Sequence, residues 1–390
     1  MLKNKKILLG VTGSVAAYKS IDLTRRLFEG GASVHVIMTP SAAKFVTPLS
    51  FEVASRNRVH TEAFQDPLSH ITLTADADLL VIAPATANII GKCAHGIADD
   101  MLSTSFLSFS GKVILAPAMN WRMFEHPVVR QNLQSLVSRG ALQIGPGKGS
   151  LACGDDAVGR MSDVQDIVEE IRAALSPKDF AGKKVMVTAG PTREYVDPVR
   201  FLSNRSSGKM GYAVARALLR RGADVILISG PSHLPAPLRA DLVRVETASE
   251  MRNAVLKNFR CVHVMIMAAA VSDFSPVARS EKKLDKSRGL ALKLTRTADI
   301  LSEIGAMKKR PFLVGFAAET GADISRARKK LVQKRADIIV FNDVTSPGSG
   351  FDVDTNRITL IGKGGETSFP LVSKDEVADI LLDRIAHFIP

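Results

Sequence analysis

The chain has 390 residues, of which 46% are hydrophobic and 23% are charged, and its formal net charge is +13. This length predicts two globular domains, and no apolar run is long enough for a membrane span. The cysteines Cys93, Cys153 and Cys261 lie far apart and form no C-x-x-C pair, so neither a disulfide framework nor a structural zinc site is indicated.

The positive charge has two interpretations. Lysines and arginines are spread over both halves, and no basic block is interleaved with aromatic residues as in many nucleic-acid-binding proteins. Small anionic substrates explain the charge at least as well, because positive clefts concentrate them. The first residues are charged and lead into no long apolar segment with a cleavage site, so we expect a cytoplasmic protein.

The first predicted elements form a β-α-β unit. A strand at 7–10 leads into a turn with Gly13 and Ser14, and a helix at 15–28 follows. Free N–H groups at the start of this helix favour a phosphate, although a plain tight turn stays open as an alternative. The turn lacks the full G-x-G-x-x-G fingerprint, which disfavours a standard dinucleotide site.

Polar residues follow the next predicted strands of this half. Strands at 77–83 and 112–116 both end in Ala-Pro and lead to Asn88 and Asn120, where an asparagine caps a helix more often than it binds substrate. His70 is predicted to lie where a loop meets the sheet, although a lone histidine is usually structural. Cys153 follows a glycine-rich surface segment, where a thiol does not simply fill a core.

The opening pattern of the chain recurs at 182–192, which predicts a second α/β domain joined to the first near 176–179. The loop that follows contains Asn204 among Arg200, Arg205 and Lys209 before a helix at 212–221. This cluster of cations favours anion binding over a simple helix cap. It is not a Walker loop, because a methionine follows the Gly-Lys pair.

The remaining elements complete the second domain. A strand at 262–267 precedes Asp273, a carboxylate that suits a ribose hydroxyl, a base amine or a metal. The lysine-rich loop at 281–286 is predicted to be solvated surface unless a triphosphate lies near it. A strand at 336–343 with a polar end, an antiparallel hairpin over 356–369 and a closing helix at 375–388 follow.

These motifs resemble a known family over nearly all of the chain. GSVAAYK at 13–19, PAMN at 117–120, the Cys153 loop and the Asn204 stretch are similar to the bifunctional phosphopantothenoylcysteine decarboxylases and phosphopantothenate-cysteine ligases of coenzyme A biosynthesis. The resemblance implies an α/β fold with two consecutive Rossmann-like three-layer domains. The FMN-dependent decarboxylase domain would span 1–176, a linker 177–182, and the CTP-dependent ligase domain 183–390.

The resemblance also implies the chemistry of the first domain. The flavin oxidises the cysteine thiol of the substrate to a thioaldehyde, which accepts the electrons left by decarboxylation, and the reduced flavin then returns a hydride. His70 would be the base, Asn120 would hold the departing carboxylate, and Cys153 would be the acid. The implied FMN contacts are Gly13, Ser14, Thr39, Thr86, Asn88 and Lys92.

In the second domain, the resemblance implies that a phosphopantothenate carboxylate attacks the CTP α-phosphorus and that the cysteine amine opens the acyl-cytidylate. Asn204 would orient this intermediate, Lys283 would support its formation, and magnesium would accompany the triphosphate without assigned ligands. The implied CTP contacts are Met267, Ala268, Ala269, Asp273, Lys283, Ala298, Asp299, Ile300, Leu301, Phe316, Lys330 and Lys334.

One departure from the family pattern leaves alternatives open. Asp285 occupies the third position of a loop that usually reads Lys-x-Lys-Lys. A decarboxylase with an impaired ligase domain therefore stays possible, as does a non-catalytic flavin-binding regulatory protein. The expected partners are 4'-phosphopantothenate, L-cysteine and CTP, with no nucleic acid and no membrane, and the resemblance implies a homo-oligomer.

Overall fold

The structure is a computed structural model that describes residues 2–62, 68–150, 154–285, 291–321 and 323–389. The chain divides into two compact units, Met1–Ser176 and Pro177–Pro390. Within the described ranges, none of the helices combines the length and the apolar character needed to cross a membrane.

The first unit is built on a parallel sheet. Its strands are β1 (Lys6–Val11), β2 (Ser33–Met38), β3 (Leu79–Ala85), β4 (Lys112–Pro117), β5 (Leu142–Gln143), β6 (Gly147–Ser150) and β7 (Asp156–Arg160). Its helices are α1 (Ala17–Glu29), α2 (Pro48–Ser55), α3 (Ser69–Ala75), α4 (Ala87–His95), α5 (Met101–Ser108), α6 (Trp121–Glu125), α7 (Pro127–Ser138) and α8 (Val164–Leu175). The sheet order is β2-β1-β3-β4-β5, and β6 pairs separately with β7 as an antiparallel hairpin.

Helices cover both faces of this sheet, because a parallel strand buries side chains on both sides. In β1, Ile7 and Leu9 pack with α1 and α8 on one face, whereas Leu8 packs with α4, α5 and α7 on the other. The result is a three-layer α/β unit, as the sequence predicts.

The second unit contains a larger, mixed sheet. Its strands are β8 (Lys184–Ala189), β9 (Arg193–Tyr195), β10 (Phe201–Ser203), β11 (Asp224–Ser229), β12 (Asp241–Arg244), β13 (Val264–Met267), β14 (Phe274–Pro276), β15 (Leu294–Arg296), β16 (Phe312–Glu319), β17 (Ile338–Asp343), β18 (Thr355–Asn356), β19 (Ile358–Gly362), β20 (Gly365–Ser368) and β21 (Val372–Ser373). Its helices are α9 (Lys209–Arg220), α10 (Ala248–Asn258), α11 (Ile300–Gly305), α12 (Ile324–Gln333) and α13 (Lys374–Ala386). The sheet order is β12-β11-β8-β13-β16-β17-β19-β20, and the first six strands are parallel.

The predicted hairpin forms the end of this sheet, where β19 pairs antiparallel with β17 and β20 with β19. Helices α9 and α13 pack on one face of the sheet, and α10, α11 and α12 pack on the other. The predicted fold class, two consecutive three-layer α/β units, is confirmed.

Residues predicted as a linker pack with the second unit. Phe180 is fully buried in the core beneath α9 and α13. Lys178 Nζ donates to the Arg220 carbonyl at 2.6 Å, and Arg221 pairs with Asp179. The segment at 177–182 therefore begins the second unit in the structure.

Candidate functional site

In the first unit, the carboxyl ends of β1 and β3 meet where the strand order reverses direction, which is the usual ligand position in such sheets. The Thr12 hydroxyl, just after β1, donates to the Pro84 carbonyl at 2.6 Å and accepts from the Thr86 N–H at 3.3 Å. These bonds tie the loop that carries Gly13 and Ser14 to the loop that begins α4.

The loop after β2 packs against the turn that contains Gly13. A Cβ on Gly13 would lie 2.5 Å from the Ser41 Cβ, so only glycine allows this approach. Thr39 is buried at the start of that loop and accepts a hydrogen bond from the Ala42 N–H at 3.3 Å. The structure thus brings the predicted residues Gly13, Ser14, Thr39 and Thr86 to one corner of the sheet.

Lys92, a predicted FMN contact on α4, is held by two carboxylates. Its Nζ lies 2.6 Å from Asp99 Oδ1 and 2.8 Å from Asp100 Oδ2. Burial alone would lower the pKa of Lys92, but the hydrogen bonds that its ammonium group donates to these carboxylates outweigh burial and raise the pKa. Its charge is therefore partly neutralised within the protein. Asn88 is exposed on the first turn of the same helix.

His70 lies in the first turn of α3 and is half-buried, so the prediction of a loop position was wrong. Ser69, Leu73 and Thr74 are the buried residues of this helix, a spacing that fits one helical face. The His70 carbonyl accepts from the Thr74 hydroxyl at 2.7 Å and the Ser108 hydroxyl at 3.1 Å, which fixes the backbone there.

Asn120 caps the short helix α6, because its Oδ1 accepts from the Arg122 N–H at 2.9 Å. The next residue, Trp121, donates from Nε1 to Asp155 Oδ2 at 2.9 Å, and the Met119 N–H donates to the Gly159 carbonyl at 3.0 Å. These bonds fasten the Asn120 loop to β7 and its preceding turn. Cys153 lies outside the described residues.

In the second unit, a cavity of about 630 Å³ opens at the carboxyl edge of the sheet. It is lined by the end of β13, the start of α11, one side of α12 and the loop before α9. Except for Lys283, every residue predicted for CTP lines it, as does Asn204: Met267, Ala268, Ala269, Asp273, Ala298, Asp299, Ile300, Leu301, Phe316, Lys330 and Lys334.

Lys330 of α12 and Lys334, the residue that caps the C-terminus of this helix, give this cavity a positive wall. Lys330 Nζ donates to the Phe316 carbonyl at 2.8 Å, and burial lowers its pKa below the usual lysine range. Lys334 pairs with Asp299, whose pKa is lowered because this lysine and the Ser302 N–H outweigh burial. Asn204 Nδ2 donates to the Val271 carbonyl at 2.9 Å, which joins the loop before α9 to the loop after β13.

Lys283 is exposed and is not among the described residues that line the cavity. The neighbouring Leu284 is held by the loop after β9, because its N–H donates to Asp197 Oδ2 at 3.1 Å and its carbonyl accepts from Arg200 Nη1 at 3.2 Å. Lys283 is therefore the one residue predicted for CTP that the described structure does not place in the cavity wall.

The sequence matches known proteins along its whole length. A family model described as "Flavoprotein" matches residues 1–176, and one described as "DNA/pantothenate metabolism flavoprotein C-terminal domain" matches residues 180–389. The coenzyme A biosynthesis bifunctional protein CoaBC of Bacillus subtilis (strain 168) is 47% identical over 401 residues, covering 99% of this chain and 98% of that protein. The protein of the same name from Escherichia coli (strain K12) is 43% identical over 395 residues, covering 98% and 97%.

The chain belongs to the bifunctional coenzyme A biosynthesis proteins. This confirms the predicted family and the prediction of a bifunctional enzyme with a flavoprotein domain. A crystal structure of the C-terminal domain of a CoaBC protein is 42% identical and covers 54% of this chain and 97% of its own, with a TM-score of 0.47.

In this member of the bifunctional coenzyme A biosynthesis family, part of the second cavity is formed by residues that the sequence did not predict. Asn342, Asn356, Phe351 and Lys374 also line it. Lys374 is 6% exposed, and its Nζ donates to the carbonyls of Gly350, Phe351 and Val353 at 3.1, 3.1 and 2.6 Å. The signal available in the sequence was the polar end of the predicted strand at 336–343, which contains Asn342.

Proposed function

We propose that the chain converts 4'-phosphopantothenate and L-cysteine to 4'-phosphopantetheine in two steps. The second unit would ligate cysteine at the expense of CTP, and the first would decarboxylate the product with FMN. The observation that carries the proposal is the single cavity that gathers Asn204 with the predicted nucleotide residues on α11, α12 and the loop after β13.

In the ligase step, the phosphopantothenate carboxylate attacks the CTP α-phosphorus and pyrophosphate leaves. Lys330 and Lys334 stabilise the negative charge of the triphosphate, and the free N–H groups at the start of α9 face the same cavity. The phosphate oxygens of CTP would hold magnesium, which would neutralise part of their negative charge. Asn204, held by Val271, orients the acyl-cytidylate while the cysteine amine displaces CMP.

In the decarboxylase step, FMN supplies a hydride acceptor for the substrate thiol. The corner around Gly13 fits a phosphate monoester, since it joins a glycine that tolerates no Cβ to hydroxyls of Ser14 and Thr39 and to the uncapped start of α1. The β2-β1-β3-β4-β5 order, with this corner at the β1/β3 switch point, matches the flavodoxin-like arrangement that places FMN there. Asn120 holds the departing carboxylate, His70 acts as the base, and Cys153 returns a proton to the product.

Two separate assays test the proposal. CTP-dependent pyrophosphate release with phosphopantothenate reports the ligase, and carbon dioxide release from phosphopantothenoylcysteine reports the decarboxylase. We expect both from the purified chain, with Asn120→Ala abolishing only the second and Asn204→Ala only the first. Loss of both activities in either variant, with the fold intact, would contradict separate sites.

The position of Lys283 favours a second candidate, a decarboxylase with an impaired ligase. Its exposed side chain lies apart from the cavity wall, and Asp285 follows it in a loop that usually carries more lysines. This candidate predicts normal carbon dioxide release with pyrophosphate release near background. Under the first proposal, Lys283→Gln lowers pyrophosphate release and leaves carbon dioxide release unchanged.

We further propose a cytoplasmic homo-oligomer. The first unit exposes more than half the surface of each of several large apolar side chains at the start of α1 and around α2: Val15, Tyr18, Phe45, Leu49 and Val53. Helices α1 and α2 are in contact, and large apolar side chains exposed on neighbouring helices are typical of a protein interface. Light scattering should give a multiple of the 42.0 kDa chain mass, and a monomer at micromolar concentration would contradict the assembly.

A further inference from the structure

Lys374 occupies a position that disfavours a lysine. It is the first residue of α13, directly after the capping residue Ser373, and only 6% of its surface is exposed. The start of a helix is the positive end of its dipole, and burial disfavours an ammonium group, so both features cost free energy. A buried cation at this position therefore needs strong contacts with acceptors, and one neighbouring segment supplies them.

That segment, residues 350–354, lies between β17 and β18 and contributes Gly350 and Phe351 to the cavity wall. Lys374 Nζ donates to three of its carbonyls, those of Gly350, Phe351 and Val353, at 3.1, 3.1 and 2.6 Å. Burial is the main cause that lowers the pKa of Lys374 to about 8, so at pH 7 the group is mostly an ammonium with three N–H donors. The three carbonyls match these three donors, which leaves none for a ligand.

The same segment also contacts the start of α9. The Phe351 carbonyl accepts a second hydrogen bond from the Ser207 hydroxyl at 2.7 Å, and the Asp352 carbonyl accepts from Lys209 Nζ at 2.8 Å. Lys209 Nζ also lies 2.7 Å from Asp354 Oδ1. Two ammonium groups thus bind four consecutive carbonyls, at 350–353, and the segment joins the start of α13 to the start of α9.

The loop before α9 carries Asn204, three residues before Ser207. Asn204 Nδ2 donates to the Val271 carbonyl at 2.9 Å, so the loop after β13 holds one end of this short stretch and segment 350–354 holds the other. The position of Asn204 therefore depends on both contacts. Small errors in the alignment of reacting groups lower the rate of a reaction strongly, even when binding is retained.

We propose that Lys374 is a positioning residue of the ligase, which holds the cavity wall at 350–354 and, through it, the loop that carries Asn204. This inference rests on the proposed ligase function. Because protein carbonyls occupy its donors, Lys374 acts on the rate of the reaction and not on the binding of the nucleotide.

The first test is steady-state pyrophosphate release by the full chain at pH 7, with CTP varied. Lys374→Met keeps the length of the side chain and removes the ammonium group. We expect the kcat to fall about tenfold to a hundredfold, with the KM for CTP changed less than about threefold. Lys257→Met, at an exposed position on α10, is the matched control and should change neither constant. Carbon dioxide release from phosphopantothenoylcysteine should stay unchanged in both variants.

The second test is limited proteolysis with chymotrypsin, which cleaves after aromatic residues. We expect cleavage after Phe351 to be at least about fivefold faster in Lys374→Met than in the wild type or Lys257→Met, because the segment loses three of its hydrogen bonds. Lys374→Gln keeps two N–H donors and should give intermediate values in both tests. It replaces Lys374→Met if that variant does not fold.

Three results would overturn the inference. An unchanged kcat would show that Lys374 does not affect the reaction, and a higher KM for CTP at an unchanged kcat would show that it binds the nucleotide. Faster cleavage throughout the second unit would show that it only stabilises the fold. A wild-type chain without CTP-dependent pyrophosphate release would instead refute the proposed ligase function, whereas cleavage after Phe351 would still report whether Lys374 holds the segment.

Discussion

We expect Lys330 to make nucleotide binding in the second cavity depend on pH. Burial, followed by the nearby Lys334, lowers its pKa, while Glu319, Asp299 and Asp273 oppose that shift. A bound triphosphate would add negative charge and raise the pKa again. The CTP complex therefore holds more protons than the free protein, so CTP affinity should fall as pH rises through the lowered pKa of Lys330.

Calorimetry in two buffers of different ionisation enthalpy measures this coupling as proton uptake on CTP binding. We expect uptake in the wild type and none in Lys330→Met, with the adjacent exposed Lys329→Met behaving as the wild type. A wild-type protein that takes up no proton between pH 7 and about pH 10 would show that the charge of Lys330 does not respond to the nucleotide.

Cys93 and Cys261 should differ in their reactivity towards alkylating reagents, because one is buried and the other is exposed. Burial raises the pKa of the Cys93 thiol to about 12, so at pH 8 only about one molecule in ten thousand carries the thiolate there. Cys261 is exposed. We expect iodoacetamide to modify Cys261 and spare Cys93 in the folded protein, as mass spectrometry of peptides would show. Equal labelling of both residues would mean that α4 opens readily.

At the scale of elements, the hydrogen bond from Trp121 to Asp155 joins α6 to the turn before β7. In the sequence, Asn120 lies immediately before Trp121, and Cys153 lies two residues before Asp155. We expect Trp121→Phe, which keeps the ring and removes the donor, to lower the decarboxylation kcat about fivefold to tenfold because the two loops lose their alignment. Bound flavin, measured by visible absorbance, should stay unchanged.

The matched control for the loss of the hydrogen bond from Trp121 to Asp155 is Met123→Leu on the same helix, at a side chain that is 49% exposed. It should leave both the kcat and the flavin content unaltered. If Trp121→Phe released flavin instead, the helix α6 would act in cofactor binding rather than in aligning the two loops.

The elements that sequence reasoning predicts well are those whose pattern is local. Buried parallel strands appear as short apolar runs, and the prediction of a strand at 336–343 agrees with β17 at Ile338–Asp343. Short pairs such as β9 with β10 depend on contacts between loops and carry no such run. His70 was misplaced because α3 has only two turns, too few for a helical period to be distinguished from a loop.

The same distinction between local patterns and contacts among distant segments applies to the cavity of the second unit. The residues predicted for CTP follow family motifs, so the resemblance identified those that line the cavity, although it also included Lys283, which does not. Asn342, Asn356 and Lys374 come from separate segments, and their burial arises only when α13 packs over β17 and β19. No local pattern distinguishes a solvated asparagine at a strand end from one that is buried without a partner.

At the scale of the whole molecule, each unit has its own core, so a change in one core should leave the other unit folded. Arg221 offers a test, because it is 3% exposed, lies over the Phe180 ring at 5.1 Å and pairs with Asp179 and Asp383. Arg221→Met leaves both carboxylates unpaired and should destabilise the second unit by about 1–3 kcal/mol. Ligase activity should then be lost at a lower temperature, whereas flavin release from the first unit should occur at the wild-type temperature.

The control for this experiment is Arg328→Met, which breaks an exposed pair with Glu366. Such pairs contribute little, so its unfolding should stay within about 0.5 kcal/mol of the wild type. Because Asp179 and Phe180 lie in the segment predicted as a linker, the size of the Arg221 effect also measures how firmly that segment belongs to the second unit. Equal destabilisation of flavin release and ligase activity would mean that the two units unfold together.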